Sequence, residues 1–203
     1  MKLILATRNK GKIKEIKALF GRDTEILTLE DVGFVDDIIE DKDTFLGNAM
    51  NKATISYDYL KSKYREYFFL AEDSGLEVRA LGGRPGVYSA RYAGENATDE
   101  ENIKKLLYEL KEVPLEKRDA NYNCTAVLIF PNGKSIIAVG KCNGRIALEP
   151  RGKNGFGYDP VFLTEESNFS ITMAELSEEE KNRISHRKKA IEGIVNGIKG
   201  LNS

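Results

Sequence analysis

The chain has 203 residues, with 31 lysines and arginines against 32 acidic residues and a formal net charge of −1. That balance excludes a protein that coats DNA or RNA through bulk positive charge, since such binding neutralises many phosphates, but it leaves room for a small phosphate ligand. Two cysteines and one histidine exclude a Cys/His zinc centre, and no apolar run approaches the ~18 residues of a membrane span.

Residues 3–6 form a short apolar run of the kind found in a buried strand. The opening is too short and too soon polar for a signal peptide, so the expectation is a soluble cytoplasmic protein with free thiols. After a polar loop, Ile13, Ile16, Leu19 and Phe20 recur at helical spacing and Gly21 closes the helix. Residues 24–29 predict a second strand, followed by an acidic stretch over 36–43. Thr44 can cap a helix whose apolar face is Leu46, Ala49, Met50, Ala53, Tyr57 and Leu60. Residues 68–71 predict a buried strand ending at Glu72-Asp73-Ser74-Gly75, and 81–86 a turn-rich loop. Thr98 and Glu101 form a capping box ahead of Ile103, Leu106, Leu107 and Leu110. Strand-like runs over 122–130 and 135–145 flank Pro131-Asn132-Gly133, a strong hairpin signal. They place Cys124 and Cys142 almost symmetrically about the turn, as candidate neighbours across the hairpin. A basic, amphipathic helix runs through Ile191, Ile194, Val195 and Ile198. Alternating strands and helices with a late hairpin predict an α/β fold on a mixed sheet. No repeat or linker divides residues 1–203, which read as a single domain.

Four segments carry chemistry. The loop Thr7 to Lys12, between strand and helix, aims free N–H groups and a lysine at whatever binds there; it is either a polyphosphate cradle or an ordinary helix cap. It is not a Walker loop, for no Gly-Lys pair stands in the required frame. Asp73, with Glu72 beside it and Glu40 in the acidic stretch, can hold a hard divalent cation or simply cap a turn. Ser74 lacks the flanking glycines of a nucleophile elbow. In Asn154-Gly155-Phe156-Gly157-Tyr158-Asp159-Pro160, glycines around an aromatic ring let a flat ligand approach, or else make a plain turn. Lys181, His186 and Arg187 point in different directions on one unbroken helix, at about 100° per residue. A shared ligand therefore requires a break near Ile184 to His186, with Ser185 as a plausible cap; the alternative is a solvated basic face.

Taken in order, these segments resemble the inosine triphosphate pyrophosphatase family, which hydrolyses non-canonical purine nucleoside triphosphates. The resemblance rests on Leu5-Ala6-Thr7-Arg8-Asn9-Lys10-Gly11-Lys12, Thr44-Phe45-Leu46-Gly47-Asn48-Ala49 with Lys52, Glu72-Asp73-Ser74-Gly75-Leu76, the run from Gly82 to Tyr92, Gly155-Phe156-Gly157-Tyr158-Asp159-Pro160, and Lys181 with Ser185-His186-Arg187. It implies two lobes on a long, twisted mixed sheet with flanking helices and a cleft between the lobes, assembled as a homodimer. It implies Mg²⁺-dependent cleavage of ITP, dITP or XTP to the monophosphate and pyrophosphate, removing them from the nucleotide pool. Glu40 and Asp73 would take the metal and Asp73 the attacking water. Thr7, Arg8, Asn9, Lys10, Gly11, Lys12, Lys52 and Ser74 would meet the phosphate end, with Lys52 on the polar flank of its helix. Phe156 would stack on the purine, Gly157, Tyr158 and Asp159 would close its pocket, and Lys181, His186 and Arg187 would address the base. Donors there suit the 6-keto oxygen of hypoxanthine or xanthine and are left unsatisfied by adenine's 6-amino group. One departure stands out: Gly47 occupies a position where many bacterial relatives carry glutamate. A pyrophosphatase for modified pyrimidine or canonical nucleotides, and a nucleotide-sensing or RNA-binding module without turnover, are the competing readings. No nucleic-acid or membrane partner is expected.

Overall fold

The computed structural model describes residues 1–21 and 23–201; positions 202 and 203, the end of the expected single domain, lie outside them. Six strands, β1 (Lys2–Leu5), β2 (Glu25–Thr28), β3 (Phe68–Val78), β4 (Asp119–Ile129), β5 (Ser135–Ile146) and β6 (Phe162–Thr164), form one sheet in the order β2-β1-β3-β4-β5-β6. β1 runs parallel to both β2 and β3, whereas β5 and β6 are antiparallel, so the sheet is mixed as expected. Among the described residues five α-helices accompany it: α1 (Lys10–Phe20), α2 (Phe45–Leu60), α3 (Asp99–Glu109), α4 (Glu178–Ile184) and α5 (His186–Leu201). No described helix is long and apolar enough to cross a membrane.

The local signals act as read. Asn9 caps α1 by accepting from the Lys12 N–H, Thr44 caps α2 through the Gly47 N–H, and Thr98 with Glu101 closes a full capping box on α3. In the turn between β4 and β5, Phe130 N–H donates to Lys134 O at 2.8 Å and Gly133 N–H to Phe130 O at 2.9 Å. α4 ends at Ile184 and α5 begins at His186, with Ser185 extended between them at φ −64°, ψ 146°. The helix is therefore interrupted where the three polar residues required it.

The chain divides into two compact units. The first comprises Met1–Asp73, Cys124–Gly140 and the residues from Arg187 onward; the second comprises Ser74–Asn123 and Lys141–His186. In the first, the period-two pleat sorts apolar side chains onto two faces. Ile4, Ala6, Phe69 and Ala71 pack with Ala49 and Ala53 of α2. Leu3, Leu5 and Leu70 pack with Ile16 of α1 and Ala190, Ile191 and Ile194 of α5. In the second, Leu76, Val78, Tyr122, Ile146 and Phe162 close over Ile103 and Leu106 of α3 and Leu110 at its end.

Two expectations are corrected. β3 does not stop at Ala71 but continues through Asp73 to Val78; Glu72 and Asp73 are buried against cations, so their charges do not end the strand. The face of α2 is not the purely apolar stripe expected: Leu46 is exposed, while Asn48, Lys52 and Ser56 are buried beside Ala49 and Ala53. Cys124 and Cys142 are free, buried thiols that belong to different core clusters.

Candidate active site

β3 carries two acidic residues in succession, and the pleat sends them to opposite faces. Asp73 shares the α2 side with Phe69 and Ala71; Glu72 shares the α1 and α5 side with Leu70. Each meets a lysine from the helix that covers its face.

On the α2 face, Asn48 and Lys52 stand four residues apart and so project together. Asn48 Nδ2 donates to Asp73 Oδ2 at 3.0 Å. Lys52 Nζ lies 2.8 Å from Glu40 Oε1 and 3.8 Å from Asp73 Oδ1. Lys52 is thus not on a polar flank; only 5% exposed, it is buried between two carboxylates. Burial lifts the Asp73 carboxyl above its ordinary range despite the attraction of Lys52 and Lys12, and Glu40 adds to the rise.

On the opposite face, Glu72 is 1% exposed. Lys12 Nζ sits 2.9 Å from its Oε1, Arg187 reaches the same oxygen at 3.5 Å, and Cys124 Sγ donates to Oε2 at 3.3 Å. Arg187 also pairs with Glu15, one turn along α1 from Lys12. Burial works against the Glu72 charge, but Lys12, Arg187 and Lys52 overcome it and hold the carboxyl well below the usual range. Lys12, opposed by its own burial, is pushed up by Glu72. The same burial, with Glu72 beside it, pushes the Cys124 thiol well up and leaves it unreactive.

The rest of the first loop is held by local contacts. Thr7 Oγ1 accepts from the Asn9 N–H at 3.3 Å. Arg8 donates to the carbonyls of Phe34 and Asp36, both at 2.9 Å, tying the acidic stretch to the loop. Lys10 and Gly11 form the first turn of α1.

In the second unit the glycine-rich loop is built around Asp159. Its Oδ2 accepts from the Phe156 N–H at 3.0 Å and pairs with Lys181 Nζ at 2.6 Å, and its Oδ1 accepts from Tyr122 OH at 3.2 Å. Gly155, at φ +79°, must be glycine, for a Cβ there would stand 2.0 Å from Asp159 Oδ2. Gly157 N–H donates to Asp99 at 2.6 Å, and Tyr158 OH to Ser89 O at 2.9 Å. Lys181 Nζ lies 4.7 Å from the centre of the half-buried Phe156 ring, and His186 stacks on Tyr122 at 4.8 Å. Tyr158 and Asp159 are 4% and 3% exposed, whereas Phe156 is half-buried.

The structure therefore gathers Lys12, Lys52, Glu40, Asp73 and Arg187 in one unit, and Ser74, Phe156 to Asp159, Lys181 and His186 in the other. Arg187, expected beside Lys181 and His186, is instead engaged with Glu15 and Glu72. Sequence reading missed Glu15, Asn48, Tyr122 and Asp99. The first two were detectable: Glu15 follows Lys12 by three positions and Asn48 precedes Lys52 by four, both same-face spacings.

The carboxylates fit a divalent cation of limited protein coordination. No group of three or more His, Cys, Asp or Glu among the described residues can hold a metal ion. Glu40 and Asp73 nevertheless converge on one ammonium, and two carboxylates plus substrate phosphates are the usual Mg²⁺ donor set. A third carboxylate at position 47 is obstructed here. A Cβ on Gly47 would lie 2.8 Å from Lys42 Cβ and 3.0 Å from the capping Thr44 Oγ1.

A model of the Ham1 family matches residues 3–196. Over 199 residues the chain is 46% identical to the dITP/XTP pyrophosphatase of Shouchella clausii, covering 98% of this chain and 97% of that one. It is 48% identical over 191 residues to the dITP/XTP pyrophosphatase of Geobacter sulfurreducens, covering 94% and 92%. Among solved structures, the Staphylococcus aureus Ham1 protein aligns with a TM-score of 0.85 at 38% identity, covering 99% of this chain and 100% of that one. The nucleoside-triphosphatase / dITP/XTP pyrophosphatase of Mycobacterium abscessus aligns at 0.76 and 35%, covering 96% and 99%.

Proposed function

The chain belongs to the Ham1 family, and from that premise we propose that it hydrolyses dITP, XTP and ITP to the nucleoside monophosphate and pyrophosphate. Water is consumed and the bond between the α and β phosphates is broken. The observation that carries the chemistry is the convergence of Glu40 and Asp73 on Lys52, with Lys12 held on the other face of the same strand.

Charge explains why a cation belongs in the reaction. Lys12, Lys52 and Arg187 stand against Glu15, Glu40, Glu72 and Asp73, three positive charges to four negative. A triphosphate meets no net attraction from that set alone. Mg²⁺, held by Glu40 and Asp73 together with phosphate oxygens, would supply the missing positive charge and neutralise what builds up on the departing pyrophosphate. Lys52, released in part from its two carboxylates, is placed to turn to the phosphates. Asp73, a carboxyl raised above its ordinary range and oriented by Asn48, is placed to take the proton of the attacking water. Thr7, Asn9, Lys12 and Ser74 complete the phosphate end.

The base falls to Phe156, with Lys181 beside its ring, and to His186 stacked on Tyr122. Selection follows from hydrogen-bond polarity: donors directed at a 6-keto oxygen have no acceptor when adenine presents its amino group. We further propose Mg²⁺ as the ion, a single catalytic domain, a cytoplasmic location and a homodimer, as the family resemblance implies. The non-enzymatic readings gain nothing from the site, because a pure phosphate binder has no use for carboxylates beside its ligand.

Pyrophosphate release measured with Mg²⁺ on XTP, dITP, ATP and GTP tests this. We expect kcat/KM for XTP and dITP to exceed that for ATP by about a hundredfold or more. Comparable values for XTP and ATP would overturn the selectivity, and absence of turnover on all four would favour a sensing module.

A further inference from the structure

Glu72 is the most deeply set acid of the site and has no part in the chemistry above. It points away from Asp73 and is 1% exposed, so it is no metal ligand and no base for water. Burying a carboxylate is costly unless cations and donors surround it. Here Lys12, Arg187 and the Cys124 thiol do so, and Arg187 is in turn fixed by Glu15.

We infer that Glu72 is the positioning residue of the phosphate site: it holds the Lys12 ammonium in place, and Arg187 and Glu15 hold Glu72. The geometry supports a relay of fixed contacts rather than a loose surface pair. The Lys12 and Glu72 side chains are 14% and 1% exposed, and those of Arg187 and Glu15 are 2% and 12% exposed. A lysine carries four rotatable bonds, and a partly buried ammonium without a counter-charge turns toward solvent. Anchored at 2.9 Å to a carboxylate on the central strand, Lys12 instead presents its remaining donors from one position. On this view Arg187 serves the phosphate end through Glu72.

This inference rests on the pyrophosphatase reading, and the test separates the two. Wild-type protein must turn over XTP; if it does not, the functional reading fails and Glu72 is not at issue. Given turnover, Glu72→Gln, which keeps shape and removes charge, is expected to lower kcat/KM for XTP about tenfold, carried by KM more than by kcat. Glu72→Asp should recover part of that loss. In a Lys12→Ala background, Glu72→Gln should cost less than twofold further, because the residue it positions is gone. Glu15→Gln, at the accessible end of the relay, should give a smaller KM rise of about threefold. It decides the matter alone if Glu72→Gln does not fold. Full additivity with Lys12→Ala, a loss confined to kcat, or an unchanged KM in Glu15→Gln would each overturn the assignment.

Discussion

Asp73→Asn is expected to lower kcat by about a thousandfold while leaving the melting temperature unchanged or higher. The catalytic loss follows from removing both the proton acceptor for water and one of two carboxylates for the ion; general-base catalysis alone contributes about 10²–10⁴-fold. The stability follows from the charge. Asp73 is buried, and its carboxyl is raised above the ordinary value by that burial, with Lys52 and Lys12 only partly offsetting it. A carboxyl whose folded value exceeds its unfolded value opposes folding once ionised. Its ionised form therefore costs stability as pH rises from about 3.9 through the folded value. Asparagine keeps the shape, can still meet Asn48, and removes the buried charge. Steady-state kinetics with XTP and thermal melting of the substrate-free protein check both halves. A kcat within tenfold of wild type would remove Asp73 from the chemistry.

Arg187→Met is expected to be the most destabilising change in the first unit. The substitution keeps an unbranched apolar stem and deletes the guanidinium, so Glu15 loses its Arg187 partner and buried Glu72 keeps Lys12 as its paired cation. Breaking a buried pair by removing one partner costs about 3–5 kcal/mol, and for a protein of this size that lowers Tm by roughly 10 °C. The pH dependence identifies the cause. In wild type, Glu72 is held well below the carboxylate range by Lys12, Arg187 and Lys52 against its burial. It therefore contributes stability at neutral pH that is lost as pH falls below about 4. Without the Arg187 charge, the Glu72 carboxyl is expected to take up its proton at higher pH in the variant. The gap in Tm between wild type and variant should therefore narrow from pH 7 toward pH 4. Equal gaps at both values would assign the loss to packing of the side-chain stem instead.

Much of this architecture was legible because single residues enforce it locally. Thr44, Thr98 with Glu101, and the Asn132-Gly133 turn each satisfy backbone groups within a few positions, so sequence alone places the ends of α2, α3 and the β4–β5 hairpin. The break at Ser185 follows from helix geometry on the condition that Lys181, His186 and Arg187 serve one ligand. What escaped was long-range charge pairing. Glu72-Asp73 reads as the end of a strand until Lys12 and Lys52 are known to be buried opposite it, and those lysines come from helices far away in the chain. For the same reason Lys52 reads as lying on the polar flank of its helix, and no local pattern links Arg187 to Glu15 at a separation of 172 residues. The glycine-rich loop was placed correctly as a turn, but the role of Asp159 as its internal anchor depends on Tyr122 and Lys181, which no local pattern links to it.

The account stands most directly on the identity of the phosphorus products. XTP supplied with Mg²⁺ should yield xanthosine monophosphate and pyrophosphate in equal amounts, and the Asp73→Asn protein should yield neither at a comparable rate. Release of orthophosphate and a nucleoside diphosphate by the wild-type protein would contradict it.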